Sequence, residues 1–345
     1  MTSTNQVACA SLGLFILDTF SWESTDSTGA VTSTKREDGV IGGGGTYAMV
    51  GARVFLPPTR VGILVDRGND WPKAVEDELR EYGEAMWVYR DKPDEPTTRA
   101  LNLYRGEHRD FEYLTPRTRL EPKDLPAPLR TSSYLHFVCS PTRALVIHSQ
   151  LQPPLNATPT WRPKLVYEPI PDRCTPEELP SLREILPHVE VFSPNHVEAW
   201  AFNGVGPDEV ERRGKEGIEE VARRFFDEGA LGAVVIRSGP LGAYAIRRGE
   251  EKGVWVPAYH AYGEEGKGKV VDVTGAGNSF LGGLMAGLVL HPGDLKTAVQ
   301  CASVAASFII EQFGLPKVKR DDAGVERWNG DSPLDRLEEL KARAA

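Results

Sequence analysis

The residues best suited to chemistry lie between 270 and 283. There Val270 and Val271 give way to Gly275-Ala276-Gly277-Asn278, followed by Phe280, Leu281, Leu284, Met285 and Leu288 at helical spacing. A glycine-rich turn that opens a helix aims several main-chain N–H groups at one point. The helix dipole adds partial positive charge there, so an anion binds well. Glycine matters because a Cβ would hold the anion's oxygens away from the backbone. Gly275, Ala276 and Gly277 therefore read as an anion hole, and Val270 and Val271 as the end of the strand that feeds it. By itself, a Gly-x-Gly is more often an ordinary strand–turn–helix corner.

Other polar positions carry two readings each. Ser193-Pro194-Asn195, with Glu198 three residues on, is a helix start with a capping residue and a first-turn carboxylate. Asp18 closes an apolar run and serves as a turn-former or a ligand group. The glycines at 42–45 are a flexible connector or a place where backbone passes close to a ligand. Ser238 and Gly239 serve a hairpin turn, and His260 and Tyr262 stand in the loop before residue 270. Cys9, Cys139 and Cys301 lie among apolar neighbours and read as packed thiols.

The elements that must hold these groups are short apolar runs alternating with amphipathic stretches. Runs at 12–17, 61–65, 86–89, 134–138, 164–167, 189–192 and 233–236 read as strands. Helical patterns fall at 71–82 and from Pro207 to Gly229, with Ile218, Val221, Ala222 and Phe225 on one face. Such alternation means βαβ units and a mostly parallel sheet covered on both faces. Residues 19–40 break the pattern: they are polar, with a turn signal at Ser27-Thr28-Gly29, and read as a two-stranded flap to which 97–114 adds strands. The proline-rich stretch 151–163 reads as a surface connection. One α/β domain is expected over 1–320, then a polar tail over 321–345 with a short helix from Pro333 to Ala344.

Bulk properties exclude several classes. The chain has 345 residues, 40% hydrophobic and 26% charged, which fits a globular protein and not a disordered, collagen-like or coiled-coil one. A net charge of −9 argues against direct nucleic-acid binding, which needs a basic surface. The four cysteines show no metal or disulfide spacing. No apolar run approaches the ~20 residues of a membrane span, and no signal peptide is visible at the first residues. A cytoplasmic protein is the plain expectation.

Taken in order, the motifs resemble the PfkB family of carbohydrate kinases. Asp272 to Gly282 is similar to that family's second signature, D-x-T-G-A-G-D-x-F-x-G, with Asn278 in place of the catalytic Asp. Gly42-Gly43-Gly44-Gly45-Thr46-Tyr47-Ala48 resembles its first glycine motif, with Thr46 where Asn is usual. Asn195 and Glu198 match N-x-x-E, Arg237 to Ala243 matches the strand–turn beside the nucleotide, and residues 19–41 fall where the family has its β-lid. Thr46-Tyr47 together with Gly277-Asn278 looks most like the fungal maintenance-of-killer branch.

The resemblance implies a ribokinase-like three-layer α/β/α fold with a small β-lid, and transfer of a phosphoryl group from ATP to a sugar or nucleoside hydroxyl. It implies that Asp18, Gly43, Gly44 and Thr46 bind the acceptor. Asn195, Ser238, Gly239, Gly242, Thr274 and Ser303 would hold the nucleotide, and Glu198 would order Mg²⁺ through water. It also implies a homodimer through the lid. Asn278 separates two expectations, because a neutral amide cannot take the acceptor's proton. One is slow or atypical transfer, the other a catalytically inactive nucleotide binder acting through a protein partner. On this reading an Asp restored at 278 raises turnover.

Overall fold

The computed structural model describes residues 6–26, 30–105, 108–152, 161–260 and 268–343. The strands are β1 Cys9–Ser11, β2 Ile16–Thr25, β3 Val31–Gly42, β4 Val61–Gly68, β5 Trp87–Lys92, β6 Arg99–Arg105, β7 His108–Tyr113, β8 Tyr134–Cys139, β9 Lys164–Pro169, β10 Val191–Phe192, β11 Ala233–Arg237, β12 Ala243–Arg247, β13 Val254–Val256, β14 Val318–Arg320 and β15 Glu326–Trp328. The α-helices are α1 Gly44–Arg53, α2 Lys73–Glu81, α3 Pro141–Leu151, α4 Leu179–Ile185, α5 His196–Ala201, α6 Pro207–Asp227, α7 Ala276–Leu290, α8 Leu295–Ile309 and α9 Pro333–Arg343.

Nine strands form the central sheet in the order β13-β12-β11-β10-β9-β8-β1-β4-β5. It is parallel from β11 to β5, and β12 and β13 join antiparallel at one edge. Because side chains alternate along a strand, each inner strand feeds two cores. Ile63, Val65, Val166 and Val235 pack under α1, α2, α7, α8 and α9, while Leu64, Tyr167, Val234 and Ile236 pack under α3 to α6. The three-layer α/β/α expectation holds.

A second sheet, β3-β2-β6-β7, forms the lid expected from 19–41 and 97–114. Its inner face carries Phe20, Trp22 and Tyr104, stacked at 5.9 to 6.2 Å, against Phe313. Its outermost strand is exposed from residue 31 to 38. The flap turn at Ser27-Thr28-Gly29 lies outside the described residues, as do Tyr262 and the middle of the 151–163 connection.

Three expectations need correction. The apolar run 12–17 is not one strand: the sheet strand ends at Ser11, and Ile16 already belongs to the lid. Both halves are buried, so hydrophobicity does not mark the change of sheet. Gly13 makes it, since a Cβ there would lie 2.5 Å from the Gly45 nitrogen. Val270 and Val271 do not end a strand. They are 44% and 50% exposed, and the Val271 N–H donates to the Ile310 carbonyl at the end of α8. β-Branched residues had no partner strand to pair with there.

Residues beyond 321 are likewise no tail. Trp328, Leu337 and Leu340 are buried in the core beneath α8. The last helix, α9, ends with Arg343, and its Arg336 is buried, stacked 3.8 Å from the Phe308 ring centroid and paired with Glu311 at 2.7 Å. Glu311 also faces His260 Nε2 at 2.8 Å and accepts from Asn329 Nδ2 at 2.7 Å. Burial raises this carboxyl, but His260, Arg336 and Asn329 together bring it down to about 2. A depressed acid stabilises the fold above its unfolded value and ceases to do so as pH falls toward the folded one. Glu311→Gln is therefore expected to melt lower than wild type at pH 7, with the deficit shrinking as pH drops from about 4.5 toward 2. Thermal melts across that window check it, and a deficit constant with pH would count against the assignment.

Candidate functional site

A cavity of about 1210 Å³ lies between the lid and the C-terminal ends of the sheet strands. In parallel α/β sheets this is where ligands sit, because strand ends release loops and helix N-termini toward one side. Gly275, Gly277, Asn278 and Thr274 line it, so the glycine turn opens onto free space and is not packed shut. Gly275 caps α7 with φ 79°, a conformation glycine adopts freely, and a Cβ there would strike the Tyr47 ring at 2.3 Å. The N–H groups of Gly277 and Asn278 belong to the first helical turn, where no preceding helical carbonyl can take them. Asp272 Oδ1 accepts from the Thr274 N–H at 3.1 Å, which shapes the approach to the turn. Lid residue Tyr104 reaches Thr274 Oγ1 at 3.1 Å, tying the lid to the turn.

Arg237, at the end of β11, stands over this turn: a Cβ on Gly277 would lie 2.0 Å from its Nη1. Its Nη2 pairs with Glu168 at 2.9 Å and with Glu198 at 3.4 Å, and donates to the Ser193 carbonyl at 3.1 Å. Glu168 Oε2 accepts from Asn278 Nδ2 at 2.7 Å. His136 Nε2 lies 3.5 Å from the same oxygen, and His136 Nδ1 is 2.9 Å from Ser11 Oγ. Ser11 Oγ accepts the Gly13 N–H and also faces His136 Nδ1, which holds the ring with Nε2 toward Glu168.

Electrostatics separate the two glutamates. Burial disfavours the ionised form of both. For Glu168 this is outweighed by Arg237, His136 and Asn278, so its carboxyl falls below the usual carboxylate value. For Glu198 burial dominates and Glu168 adds repulsion, so it is pushed up to about 7 despite Arg237. Asn195 and Glu198 form the reciprocal cap of α5, with Asn195 Oδ1 accepting from the Glu198 N–H at 2.8 Å, and both line the cavity. The capping and ligand readings are thus compatible.

On the opposite wall, Asp18 is 3% exposed and accepts from Asn102 Nδ2 at 3.1 Å. Gly43 and Gly44 line the same wall, and a Cβ on Gly44 would meet Asn278 Nδ2 at 3.2 Å. Thr46 does not join them: it is fully buried inside α1, its hydroxyl lacks a hydrogen-bond partner among the described residues, and it is absent from the cavity wall. The next residue, Tyr47, faces the cavity instead. Ala276, Ser238, Gly239, Gly242 and Ser303 also lie off this cavity. Gly242 abuts the Val256–Pro257 backbone, and Ser303 Oγ donates to the Pro257 carbonyl at 2.9 Å, so those two adjoin on the far side of β12. His260 is held by Glu311, away from the turn. Cys9, Cys139 and Cys301 are buried, and burial pushes each thiol up to about 12, as expected of packed groups.

Sequence reasoning missed Glu168 and His136 as site residues and placed Arg237 only at the start of the strand–turn beside the nucleotide. Each has a signal in hindsight of its place: a charged or ionisable residue in a run of apolar strand residues, namely Leu165-Val166-Tyr167-Glu168, Val234-Val235-Ile236-Arg237 and Tyr134-Leu135-His136-Phe137. No three-carboxylate or histidine cluster able to cage a metal exists among the described residues. Two carboxylates, Glu168 and Glu198, on one cavity wall suit magnesium, which keeps most of its waters and takes few protein ligands. Among the described residues no helix is long and apolar enough to cross a membrane.

Residues 164–319 match the family model described as pfkB family carbohydrate kinase. The chain is 33% identical to Protein MAK32 of Saccharomyces cerevisiae over 318 residues, covering 86% of this chain and 84% of that protein. It is 31% identical to an uncharacterized protein of Schizosaccharomyces pombe, covering 97% and 93%. Among solved structures, Arabidopsis thaliana ribokinase complexed with ribose and ATP superposes with a TM-score of 0.65 at 14% identity, over 97% of this chain and 99% of that one.

Proposed function

The chain belongs to the pfkB family of carbohydrate kinases and is related to MAK32, and on that footing we propose that it transfers a phosphoryl group from ATP to a hydroxyl of a sugar- or nucleoside-like molecule, with Glu168 as the base that Asn278 cannot be. One observation carries the reading: the glycine turn, Glu168 and Asp18 line a single cavity. Phosphoryl transfer needs positioning and charge neutralisation more than covalent chemistry. The Gly275, Gly277 and Asn278 amides and Arg237 hold the transferred group. Asp18, fixed by Asn102, takes the acceptor hydroxyl together with the Gly43 and Gly44 backbone. Glu168 accepts the hydroxyl proton, and His136 keeps that carboxylate oriented.

Thr274 and Asn195 serve the phosphates, and Ser238, Gly239, Gly242 and Ser303 serve the nucleoside end. Glu198 would hold magnesium through water, and the ion would supply neutralisation of phosphate charge. A homodimer through the outer lid strands and a cytoplasmic setting belong to the same reading. One observation favours a second reading, nucleotide binding without turnover in service of a protein partner: the Asn278 amide is already committed to Glu168, and Glu168 to Arg237. Both readings require nucleotide binding. Mg-ATP at a hundredfold excess over Kd is expected to stabilise the protein by about 2.7 kcal/mol. Scanning calorimetry reads this directly, and no shift at millimolar nucleotide would sink both.

A further inference from the structure

The cavity extends past the reaction end to a wall made of Phe111, Tyr113, Arg117, Arg119, Arg143 and Arg173, and transfer to a neutral sugar leaves these arginines unused. Two of them are already engaged. Arg173 is paired with Glu178, while Arg143 donates to the Arg119 and Leu120 carbonyls at 3.3 and 3.1 Å and lies 3.7 Å from Glu121. Arg117 and Arg119 have no carboxylate partner among the described residues, and Arg117 lies 4.6 Å over the Tyr113 ring. Asp172 also lines this part of the wall, and with Glu178 and Glu121 set against Arg173 and Arg143 the four arginines exceed the carboxylates by one, the excess lying at Arg117 and Arg119. In a protein of net charge −9, a cluster of this sign inside a cavity focuses a local field on anions.

Strand register sets the spacing. Tyr113 is paired with Ala100, and Ala100 with Asp18, so all three share one face of the lid. Two strand spacings put the Tyr113 backbone roughly 10 Å from that of Asp18, and the Arg117 guanidinium lies over the Tyr113 ring. A short phosphorylated sugar spans that interval with a hydroxyl at Asp18 and an anion at the arginines. Guanidinium forks suit phosphate because they offer paired N–H donors.

Resting on the kinase reading, we propose that the acceptor already carries a phosphate, which Arg117 and Arg119 bind while a distant hydroxyl meets Glu168. In the step, a bond forms between that hydroxyl oxygen and the γ-phosphorus of ATP, and the bond from γ-phosphorus to the ADP oxygen breaks. The hydroxyl proton passes to Glu168, and the products are a bisphosphorylated sugar and ADP.

Titration calorimetry with ribose 5-phosphate, fructose 6-phosphate, ribose, fructose and gluconate tests this. At least one phosphorylated probe is expected to bind about tenfold or more tightly than its neutral counterpart. The exposed double variant Arg117→Ala/Arg119→Ala should lose that margin while keeping its Mg-ATP stabilisation. Equal affinities, failure of both phosphorylated probes to bind, or an unchanged double variant would overturn the proposal. Preference for gluconate would replace phosphate by carboxylate and overturn it too. Loss of Mg-ATP stabilisation in wild type is a separate outcome, which strikes the kinase reading itself.

Discussion

Replacing Glu168 by Gln is expected to slow phosphoryl transfer by about 10²- to 10⁴-fold, the usual worth of general-base help, while Mg-ATP still binds. The amide keeps the shape of the carboxylate and an oxygen to accept from Asn278 Nδ2 or to face Arg237. It cannot accept the acceptor's proton. Because Arg237, His136 and Asn278 outweigh the effect of burial, the wild-type carboxyl is ionised at neutral pH and ready for that role. Arg237 retains Glu198, so the glycine turn keeps its cation. Steady-state turnover and calorimetric Mg-ATP binding on the same preparation separate the two effects. Turnover within a few-fold of wild type would remove Glu168 from the chemistry. A wild type with no turnover across sugar, nucleoside and sugar-phosphate acceptors, yet with bound nucleotide, would favour the binding role.

The second large effect reverses what the motif suggests. Asn278→Asp restores the family's letter, yet it is expected to destabilise the protein and bring no gain in rate. Asn278 Nδ2 is 2.7 Å from Glu168 Oε2, so an Asp exchanges a donor for a second carboxylate at contact distance. Two such groups do not both ionise: they share a proton, and one has its pKa strongly raised. Losing a hydrogen bond to a charged group costs about 1.5–3 kcal/mol, before any repulsion. The sign of the pH dependence follows from the raised pKa. The folded variant holds a proton that the unfolded chain releases, so its deficit is largest above the raised value and shrinks as pH falls.

The double variant Glu168→Gln/Asn278→Asp re-forms the pair with its polarity exchanged. It is expected to be more stable than the two single effects would sum to, by about 0.5–3 kcal/mol. Chemical denaturation of the four proteins closes that cycle. If Asn278→Asp alone proved as stable as wild type and clearly faster, the base would belong at 278 after all.

Much of this protein was legible in its letters. The alternation of apolar runs with helical faces required a parallel sheet with two cores, because a buried strand must be apolar on both sides. The Gly275-Ala276-Gly277 turn was readable as a helix start, whose first main-chain donors no preceding helical carbonyl can take. The polar stretch 19–40 could not enter the core and had to become a lid. Tertiary structure alone decided the rest. Glu168, Arg237 and Asn278 come from segments more than forty residues apart and meet only because β9, β11 and α7 end on the same side. Thr46 and Tyr47 are neighbours in the chain, but the turn of α1 sends one into the core and the other to the cavity. Trp328 and Arg336 lie in a polar stretch and are buried because α8 offers them an apolar face and Glu311, just past its end, a carboxylate. Local patterns fix which way a backbone runs. Contacts between distant side chains depend on how those backbones pack, and that is where the missing aspartate and the carboxylate beside it acquire their meaning.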